Sequence, residues 1–334
     1  MSKDTPTTGL AQAEQRARAY RARAAAPNTR GSYHYAWEQW LNWAVDHDVR
    51  SLPADPHHVL LYLTELADDL GLKPSTLTHR LAAIRERHAR EGLPRPESAE
   101  LAQVLKGIRR EAGRRGQGAT RRAAANVLED LAALLACVPA PKSAIDAKPL
   151  RDRCLLSLMW AGALRTSDLI ALQLEDRVWH PRGVVLRIRV SKGDQEGRGQ
   201  QVAIPRAKNQ TLCAVAHLEA WEDFLAEQQI TTGPIVRGVT RHGTLRSPRP
   251  GHIPRGMTRQ AVHELLKRYY ADAQLDESQG PRTTHSMRAG RITQAFEDGA
   301  SLEEIIQMSR HKNPSTALIY RRHADPFAGI PSID

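Results

Sequence analysis

The sequence contains few of the residues that build disulfide frameworks and metal sites. Its 334 residues include only three cysteines, Cys137, Cys154 and Cys213, which are widely spaced and form no Cys-x-x-Cys pair. An odd number of scattered cysteines argues against a disulfide framework or a zinc site and fits a reducing compartment. The 14 histidines include no His-Glu-x-x-His pattern, and the pair at 57–58 begins a helical segment without partners. We therefore predict that the protein uses no metal and no other cofactor.

Long apolar segments and internal repeats are also missing. No apolar run approaches the roughly 18 residues of a membrane-spanning helix, and the N-terminus is polar rather than signal-like. No repeat with a period of about 20–50 residues is evident. These absences predict a cytoplasmic protein without a membrane partner. A chain of 334 residues most naturally forms two domains.

Acidic residues are outnumbered, and the excess of bases is concentrated in one segment. Lysine and arginine total 48 against 37 acids, which gives a formal net charge of +11. Such a balance favours a polyanionic partner, nucleic acid first and an anionic membrane second. Glu111 is the only acid within residues 101–125, and the alternative interpretation of this segment is a solvated linker. Its bases are Lys106, Arg109, Arg110, Arg114, Arg115, Arg121 and Arg122.

A polar tail is predicted to precede the first folded segment. Residues 1–27 are rich in Ala, Arg, Thr and Gln, and we predict that they are disordered, with helical character at 11–26. Beyond them, Trp37, Trp40, Leu41 and Ala44 recur at the spacing of one helical face. This pattern predicts a first helix whose tryptophans pack in a core.

Three more helices complete a predicted N-terminal bundle over residues 28–112. Asp55 and Pro56 form an N-cap followed by proline at the first helical position. Ser75 can cap a third helix, and apolar residues at 101–108 mark a fourth. A bundle with a basic face is a candidate reader of the DNA major groove, although charged helical bundles are common. The outward, DNA-binding side of the third helix is predicted to carry His79, Arg80, Arg85 and Arg87.

A basic, glycine-containing linker at 113–124 leads to a second predicted domain, residues 125–334. Helical patterns occur at 127–137, 150–160, 166–172, 259–273, 285–298 and 301–309. Val184, Leu186, Ile188 and Val190 alternate with polar residues, and residues 201–204 can pair back as a hairpin with Lys192 in or beside its loop. The predicted fold class is therefore mainly α with a small β-hairpin, an α+β domain that follows the helical bundle.

Two arginines and two histidines supply groups that could bind a phosphodiester. The guanidinium of Arg165 or Arg288 can grip two phosphate oxygens and stabilise the charge that develops on them. His285 precedes Arg288 by three residues, about one helical turn, so both side chains can reach one phosphate. His311 lies between two predicted helices, at a helix start where backbone N–H groups favour anions. It can donate a hydrogen bond to a phosphate oxygen.

Tyr320 and Lys192 supply the two remaining roles, the nucleophile and the acid. A free tyrosine hydroxyl is almost wholly protonated at neutral pH, so Tyr320 needs a proton acceptor or the field of the two arginines. Lys192 is placed to protonate the 5′ oxygen that leaves. Such a set can cut DNA without a metal ion and hold the cut strand as a covalent bond to the protein.

Each of these residues alone has a more ordinary interpretation. Arg165 could be a helix-end charge paired with Asp168, and a histidine beside an arginine could be a surface pair. Tyr320 could be a packed aromatic residue with its hydroxyl satisfied. The joint order Arg, Lys, His-x-x-Arg, His and Tyr favours a functional site.

The ordered motifs resemble those of the tyrosine recombinases, the phage integrase family, over residues 28–325. Residues 161–169 resemble the family's first arginine motif, with Asp168 in place of the more usual glutamate that supports the site. Ser-Lys-Gly at 191–193 resembles the hairpin lysine motif, and residues 284–290 resemble the His-x-x-Arg box. The interval between His311 and Tyr320 is similar to that between the family's closing histidine and its nucleophile. The resemblance implies catalytic roles for Arg165, Lys192, His285, Arg288, His311 and Tyr320.

The resemblance implies a site-specific recombinase of bacterial, phage or plasmid origin. Such an enzyme cleaves and rejoins DNA through a 3′-phosphotyrosyl intermediate and a Holliday junction, without metal or ATP. The expected partners are double-stranded DNA with an inverted-repeat site and a homo-tetramer assembled on two sites. Residues 285–290 and 105–111 look more like Cre than like Xer recombinases, although Cre has tryptophan at the position of His311.

Two other functions remain open at this point. A type IB topoisomerase uses similar residues but rejoins the same strand, and a catalytically idle DNA-binding regulator could keep a relic of the site. The complete set of six residues argues against the regulator. The C-terminal tail from residue 321 discriminates weakly, since it could dock in cis or in trans. The sequence does not specify the target DNA or the need for accessory proteins. It leaves the biological role open among plasmid resolution, integration and chromosome-dimer resolution.

Overall fold

The chain folds into two units, Met1–Thr120 and Arg121–Asp334. The computed structural model describes residues 11–17, 20, 27–116, 122–143, 145–189, 199–246, 256–278 and 280–324. Residues 11–17, within the predicted tail, are helical and exposed. The division falls inside the predicted 113–124 linker, of which residues 117–121 lie outside the described part. The finer limits 28–112 and 125–334 stay predictions.

The first unit contains the helices α1 (Pro27–Asp46), α2 (Pro56–Asp68), α3 (Pro74–Arg90) and α4 (Ala99–Arg114). Asp55 caps α2 by accepting a hydrogen bond from the backbone N–H of His57 at 2.7 Å, as predicted. The predicted cap of α3, Ser75, is wrong. Lys73 is the cap residue and Pro74 begins the helix, because the fixed φ of proline suits the first helical position.

The tryptophans of α1 pack in a core, as predicted. Trp40 is fully buried and stacks on Trp43 with ring centroids 5.4 Å apart, and Tyr62 of α2 contacts both rings. The same core contains Leu77, Leu81 and Ile84 of α3 and Leu101 and Leu105 of α4.

The second unit is built around a buried helix. Its helices are α5 (Leu128–Ala136), α6 (Lys148–Ala161), α7 (Thr166–Ala171), α8 (Ala214–Glu227), α9 (Arg259–Asp272), α10 (Thr284–Glu297), α11 (Leu302–Ser309) and α12 (Pro314–Ala324). Every residue of α6 from Cys154 to Trp160 is buried, and the helix contacts α5, α8 and α10. Helix α8 was not predicted, although its buried face includes Leu218, Trp221 and Leu225. No helix in the described ranges is long and apolar enough to cross a membrane.

Three antiparallel strands form one sheet in the order β1 (Arg177–His180), β2 (Gly183–Ile188) and β3 (Gln200–Pro205). The predicted hairpin is confirmed, because Val184 pairs with Ile204 and Leu186 pairs with Val202, and these four side chains are buried. The edge strand β1 was not predicted, since its four residues are mostly exposed and give no alternating pattern. Val190 and Lys192 of the hairpin loop lie outside the described residues. The predicted class, mainly α with a small sheet, is confirmed.

Candidate active site

Helix α10 begins with a capping box that fixes its first turn. The backbone N–H of His285 donates to Thr283 Oγ1 at 3.1 Å, and the backbone N–H of Thr283 donates to Ser286 Oγ at 2.9 Å. His285 is therefore held in the first turn, where its ring nitrogen meets Tyr320 while part of the residue stays open to solvent. Arg288 lies one turn later and is buried, with 1% of its surface exposed.

Helix α10 packs closely against the extended segment that precedes α5. A β-carbon added to Gly290 would lie 1.5 Å from the carbonyl oxygen of Asn126, so only glycine permits this approach. The backbone N–H of Asn126 donates to Ser286 at 3.0 Å, and the indole N–H of Trp160 donates to the Asn126 carbonyl at 2.7 Å. Asn126 thus fixes α10 relative to the end of α6, which leads to Arg165.

Arg165 is positioned by the turn between α6 and α7. Its Nη1 lies 3.7 Å from Oδ2 of Asp168, which is the helix-end ion pair considered from the sequence. The side chain of Asp168 is fully buried, whereas that of Arg165 is 23% exposed. The ion pair therefore orients the Arg165 guanidinium and leaves part of it open to a ligand. In the same turn Ala163 has a left-handed backbone, with φ 44°.

Arg288 ties the Arg165 turn to the loop that carries His311. Its guanidinium donates one hydrogen bond to the carbonyl of Ala163 and another to the carbonyl of Ser309. Ser309 Oγ lies 2.9 Å from Nδ1 of His311, which fixes the imidazole beside the arginine. Because two fixed carbonyls hold Arg288, its orientation does not depend on a bound ligand.

Tyr320 projects from α12 toward both histidines. Its Oη lies 2.8 Å from Nε2 of His285. Its ring is nearly parallel to that of His311, with centroids 6.0 Å apart and 15° between the planes. The structure therefore brings Arg165, His285, Arg288, His311 and Tyr320 to one place, and Lys192 lies outside the described residues.

Burial and positive charge shift the titration of the three ring side chains. Burial raises the pKa of Tyr320, and Arg288, Arg122 and Arg165 oppose part of this rise. Desolvation, together with Arg288 and Arg165, lowers the pKa of His285. Burial, with Arg288 and Arg165, also lowers the pKa of His311 to about 4. Both imidazoles are therefore uncharged at neutral pH, and His285 can accept a proton from Tyr320.

The side chains gathered here suit an anion. Arginine N–H groups and neutral imidazoles donate hydrogen bonds to phosphate oxygens. Among the described residues, no group of three His, Cys, Asp or Glu side chains could hold a metal ion.

Known proteins are similar to this chain over much of its length. The sequence profile of the "Phage integrase family" matches residues 128–326, more than half of the chain. The "Integrase/recombinase xerD homolog" of Selenomonas ruminantium is 33% identical over 303 residues, which cover 90% of this chain and 83% of that protein. The chain belongs to the phage integrase family, the tyrosine recombinases. The predicted enzyme class, a site-specific recombinase, is thereby confirmed.

Other relatives of this recombinase match over shorter stretches or by fold. "Tyrosine recombinase XerD" of Listeria monocytogenes is 26% identical over 171 residues, 51% of this chain and 50% of that protein. The Tn1549 transposon integrase, solved in complex with transposon right end DNA, shares the fold with a TM-score of 0.56. It is 14% identical, and the match covers 92% of this chain and 94% of that one. The Cre-like subgroup stays a prediction.

Part of the basic surface predicted on α3 of the recombinase is engaged in packing. The guanidinium of Arg80 lies 5.0 Å from the ring centroid of Tyr35, and that of Arg87 lies 5.7 Å from Trp37, both on α1. These side chains are half-buried instead of pointing fully outward, as are His79 and Arg85. Their assignment to DNA binding stays a prediction.

The basic side chains on and just after α4 are exposed, in contrast to those of α3. Arg109 donates to Thr78 Oγ1 at 3.3 Å, and Arg115 donates to Glu111 at 3.0 Å. Arg121 lies outside the described residues. The predicted DNA-binding residues that are exposed are Lys106, Arg109, Arg110, Arg114, Arg115 and Arg122.

Three residues that shape the site were not predicted. Asn126 and Ser309 act through the hydrogen bonds given above, and Arg310 is buried beside Arg288 and Asp168. No sequence pattern marks Arg310 as a site residue, because an arginine in a polar loop is normally exposed. Asn126 directly precedes the apolar start of a helix, a position at which a polar side chain is usually a cap instead of a core residue.

Proposed function

We propose that this recombinase cleaves DNA by attack of Tyr320 Oη on a phosphodiester bound by Arg165 and Arg288. The observation that carries this proposal is the 2.8 Å contact between Tyr320 Oη and His285 Nε2, beside both arginines. An uncharged imidazole at this distance is placed to take the phenolic proton. The lowered pKa of His285 keeps it uncharged at neutral pH.

The proposed cleavage exchanges one ester for another. A bond forms between Tyr320 Oη and phosphorus as the bond from phosphorus to the 5′ oxygen breaks. The phenolic proton passes to His285, and Lys192 is the proposed donor of a proton to the leaving 5′ oxygen. The products are a 3′-phosphotyrosyl link and a free 5′-hydroxyl. Because one phosphate ester is replaced by another of similar energy, the reaction is proposed to need no ATP. It is also proposed to need no metal ion.

Three side chains are proposed to stabilise the phosphate oxygens, those of Arg165, Arg288 and His311. Arg288 uses two of its N–H groups on the carbonyls of Ala163 and Ser309, which leaves the others for a ligand. For His311 we assign the tautomer in which Ser309 Oγ donates to Nδ1, so that Nε2–H can donate to a phosphate oxygen. Donors fixed in this way stabilise developing charge without reorganising.

The proposed partner is double-stranded DNA with an inverted-repeat site. The net charge of +11 and the exposed bases of α4 support it. The Tn1549 integrase, which shares the fold, was solved with transposon right end DNA. We further propose a cytoplasmic homo-tetramer on two sites. Attack of the partner duplex's 5′-hydroxyl on the phosphotyrosyl link would form a Holliday junction, in a simple Cre-like reaction.

A nicked suicide substrate tests the nucleophile. The substrate is built on whichever inverted repeats of about a dozen base pairs a search of the DNA beside the gene identifies, and covalent adduct is measured on a denaturing gel. The wild-type protein should accumulate adduct, whereas Tyr320→Phe should form none and still bind the substrate, because only the hydroxyl is removed. Adduct formed by Tyr320→Phe would contradict the assignment.

A second labelled duplex distinguishes recombination from topoisomerase activity. The wild-type protein should transfer the cleaved strand to this duplex, because the free 5′-hydroxyl of the partner can attack the phosphotyrosyl link. Relaxation of supercoiled DNA without any strand transfer would instead favour a type IB topoisomerase.

A further inference from the structure

Arg310 is a buried arginine in an unfavourable backbone conformation. It directly follows α11, has φ 58° and ψ 40°, and is 7% exposed. A left-handed backbone is strained for residues with long side chains. A buried guanidinium is also costly unless it is well paired. Strain of this kind persists where the surrounding structure imposes it, often at functional sites.

Arg310 shares its hydrogen-bond acceptors with both site arginines. Its Nη2 donates to the carbonyl of Ala163 at 3.3 Å and lies 3.5 Å from Oδ2 of Asp168. Arg288 donates to the same carbonyl, and Arg165 Nη1 lies 3.7 Å from the same carboxylate oxygen. Three guanidinium groups therefore converge on the turn at residues 163–168.

The three-arginine cluster, Arg165, Arg288 and Arg310, carries excess positive charge. Within the part of the chain that the structure describes, Asp168 is the only carboxylate that forms an ion pair with any of the three. Nε and Nη1 of Arg310 and Nη1 of Arg165 are buried there without a hydrogen-bond partner. Unpaired charge and unused donors together indicate that the cluster is completed by an anion.

We propose that Arg310 is a positioning residue for the phosphate site. It orients Arg165 through their shared contact with Asp168 and Arg288 through the Ala163 carbonyl. Because it lies between Ser309 and His311, it also ties the histidine loop to the Arg165 turn. Its charge adds to the field that acts on the bound phosphate. The inference rests on the proposed function and adds a seventh residue to it.

Three substitutions separate the charge of Arg310 from its volume and its backbone. Arg310→Gly removes the side chain and relieves the left-handed backbone. Arg310→Met keeps most of the volume without the charge, and Arg310→Lys keeps a charge that can reach Asp168. The rate of cleavage of prebound nicked substrate, the Kd for the same DNA and the melting temperature are measured for each.

We expect the cleavage rate to fall in the Gly and Met variants by about tenfold to a hundredfold, the usual cost of a misplaced catalytic group. The Kd should change by less than about threefold, because contacts elsewhere supply most of the binding. The melting temperature of Arg310→Met should stay near wild type, because the loss of the contacts with Ala163 and Asp168 is offset by the removal of a positive charge that lies beside two other arginines. Arg310→Lys should recover part of the lost rate.

Gln229→Gly is the matched backbone control. Gln229 is exposed and has φ 59°, nearly that of Arg310, at the end of α8. This variant should cleave at the wild-type rate. A wild-type rate in Arg310→Met would overturn the inference, as would equal losses in the Met and Lys variants accompanied by lower melting temperatures. If Tyr320→Phe formed adduct, the proposed function would fail whatever the Arg310 variants did.

Discussion

At the scale of single residues, the site keeps two imidazoles uncharged among arginines. Partial burial disfavours the charged form of each imidazole, and the positive neighbours act in the same direction. The result is a proton acceptor, His285, within 2.8 Å of Tyr320 and a neutral hydrogen-bond donor, His311, beside it. The same shifts connect the site to the stability of the folded chain.

Stability should fall in acid partly through His311. Its pKa is about 4 in the folded chain and 6.5 in a free side chain, so the unfolded chain binds more protons between these values. The stabilising contribution is therefore complete above about pH 6.5 and is lost as the pH falls toward 4. We expect the melting temperature of His311→Gln to depend less on pH in this window than that of the wild-type protein.

The exposed His263, on α9 of the same unit, provides the control for this titration. Melting curves of His263→Gln recorded at several pH values between 4 and 7.5 should follow the wild-type dependence. An unchanged pH dependence in His311→Gln would show that His311 does not keep its lowered pKa.

At the scale of elements, the sequence predicted those features that local chemistry determines. The spacing at 285–298 predicts α10, which begins one residue earlier because Thr283 is its cap. Strand β1 could not be predicted, because an exposed edge of four residues carries no apolar alternation. The burial of Arg310 could not be predicted either, since its acceptors Ala163 and Asp168 lie far away in the sequence.

Helix α10 should tolerate no side chain at position 290. Gly290→Ala places a methyl group 1.5 Å from the Asn126 carbonyl oxygen, so the helix must shift and carry His285 and Arg288 with it. We expect a loss of about 1–3 kcal/mol in the free energy of unfolding and a large loss of cleavage. Chemical denaturation and the suicide-substrate assay measure the two effects.

Gly31→Ala is the control for Gly290→Ala, the same substitution at a helix position with free space around it. Gly31 lies in α1 with no atom within 4 Å of an added β-carbon. Alanine there should raise the free energy of unfolding by about 0.4–1 kcal/mol and leave cleavage unchanged. Equal effects of the two substitutions would mean that the contact with Asn126 does not constrain α10.

At the scale of the whole molecule, the residues proposed for cleavage and most of those proposed for DNA binding lie in different units. The exposed bases of α4 belong to Met1–Thr120, whereas Arg165, His285, Arg288, His311 and Tyr320 belong to Arg121–Asp334. Contacts between many basic side chains and the DNA phosphates determine the binding affinity and its salt dependence. Substitutions in the two units should therefore affect binding and cleavage separately.

Arg288→Ala and Arg110→Ala should affect different steps, the first cleavage and the second DNA binding. Arg288→Ala should reduce cleavage of prebound DNA at least about a hundredfold, because it removes a fixed donor to the developing charge. Its Kd should stay near wild type, because basic residues elsewhere supply most of the phosphate contacts. Arg110→Ala should weaken binding and lower the slope of log K against log salt by about one, with normal cleavage once DNA is bound. Loss of DNA binding in Arg288→Ala would instead assign the buried arginine a structural role.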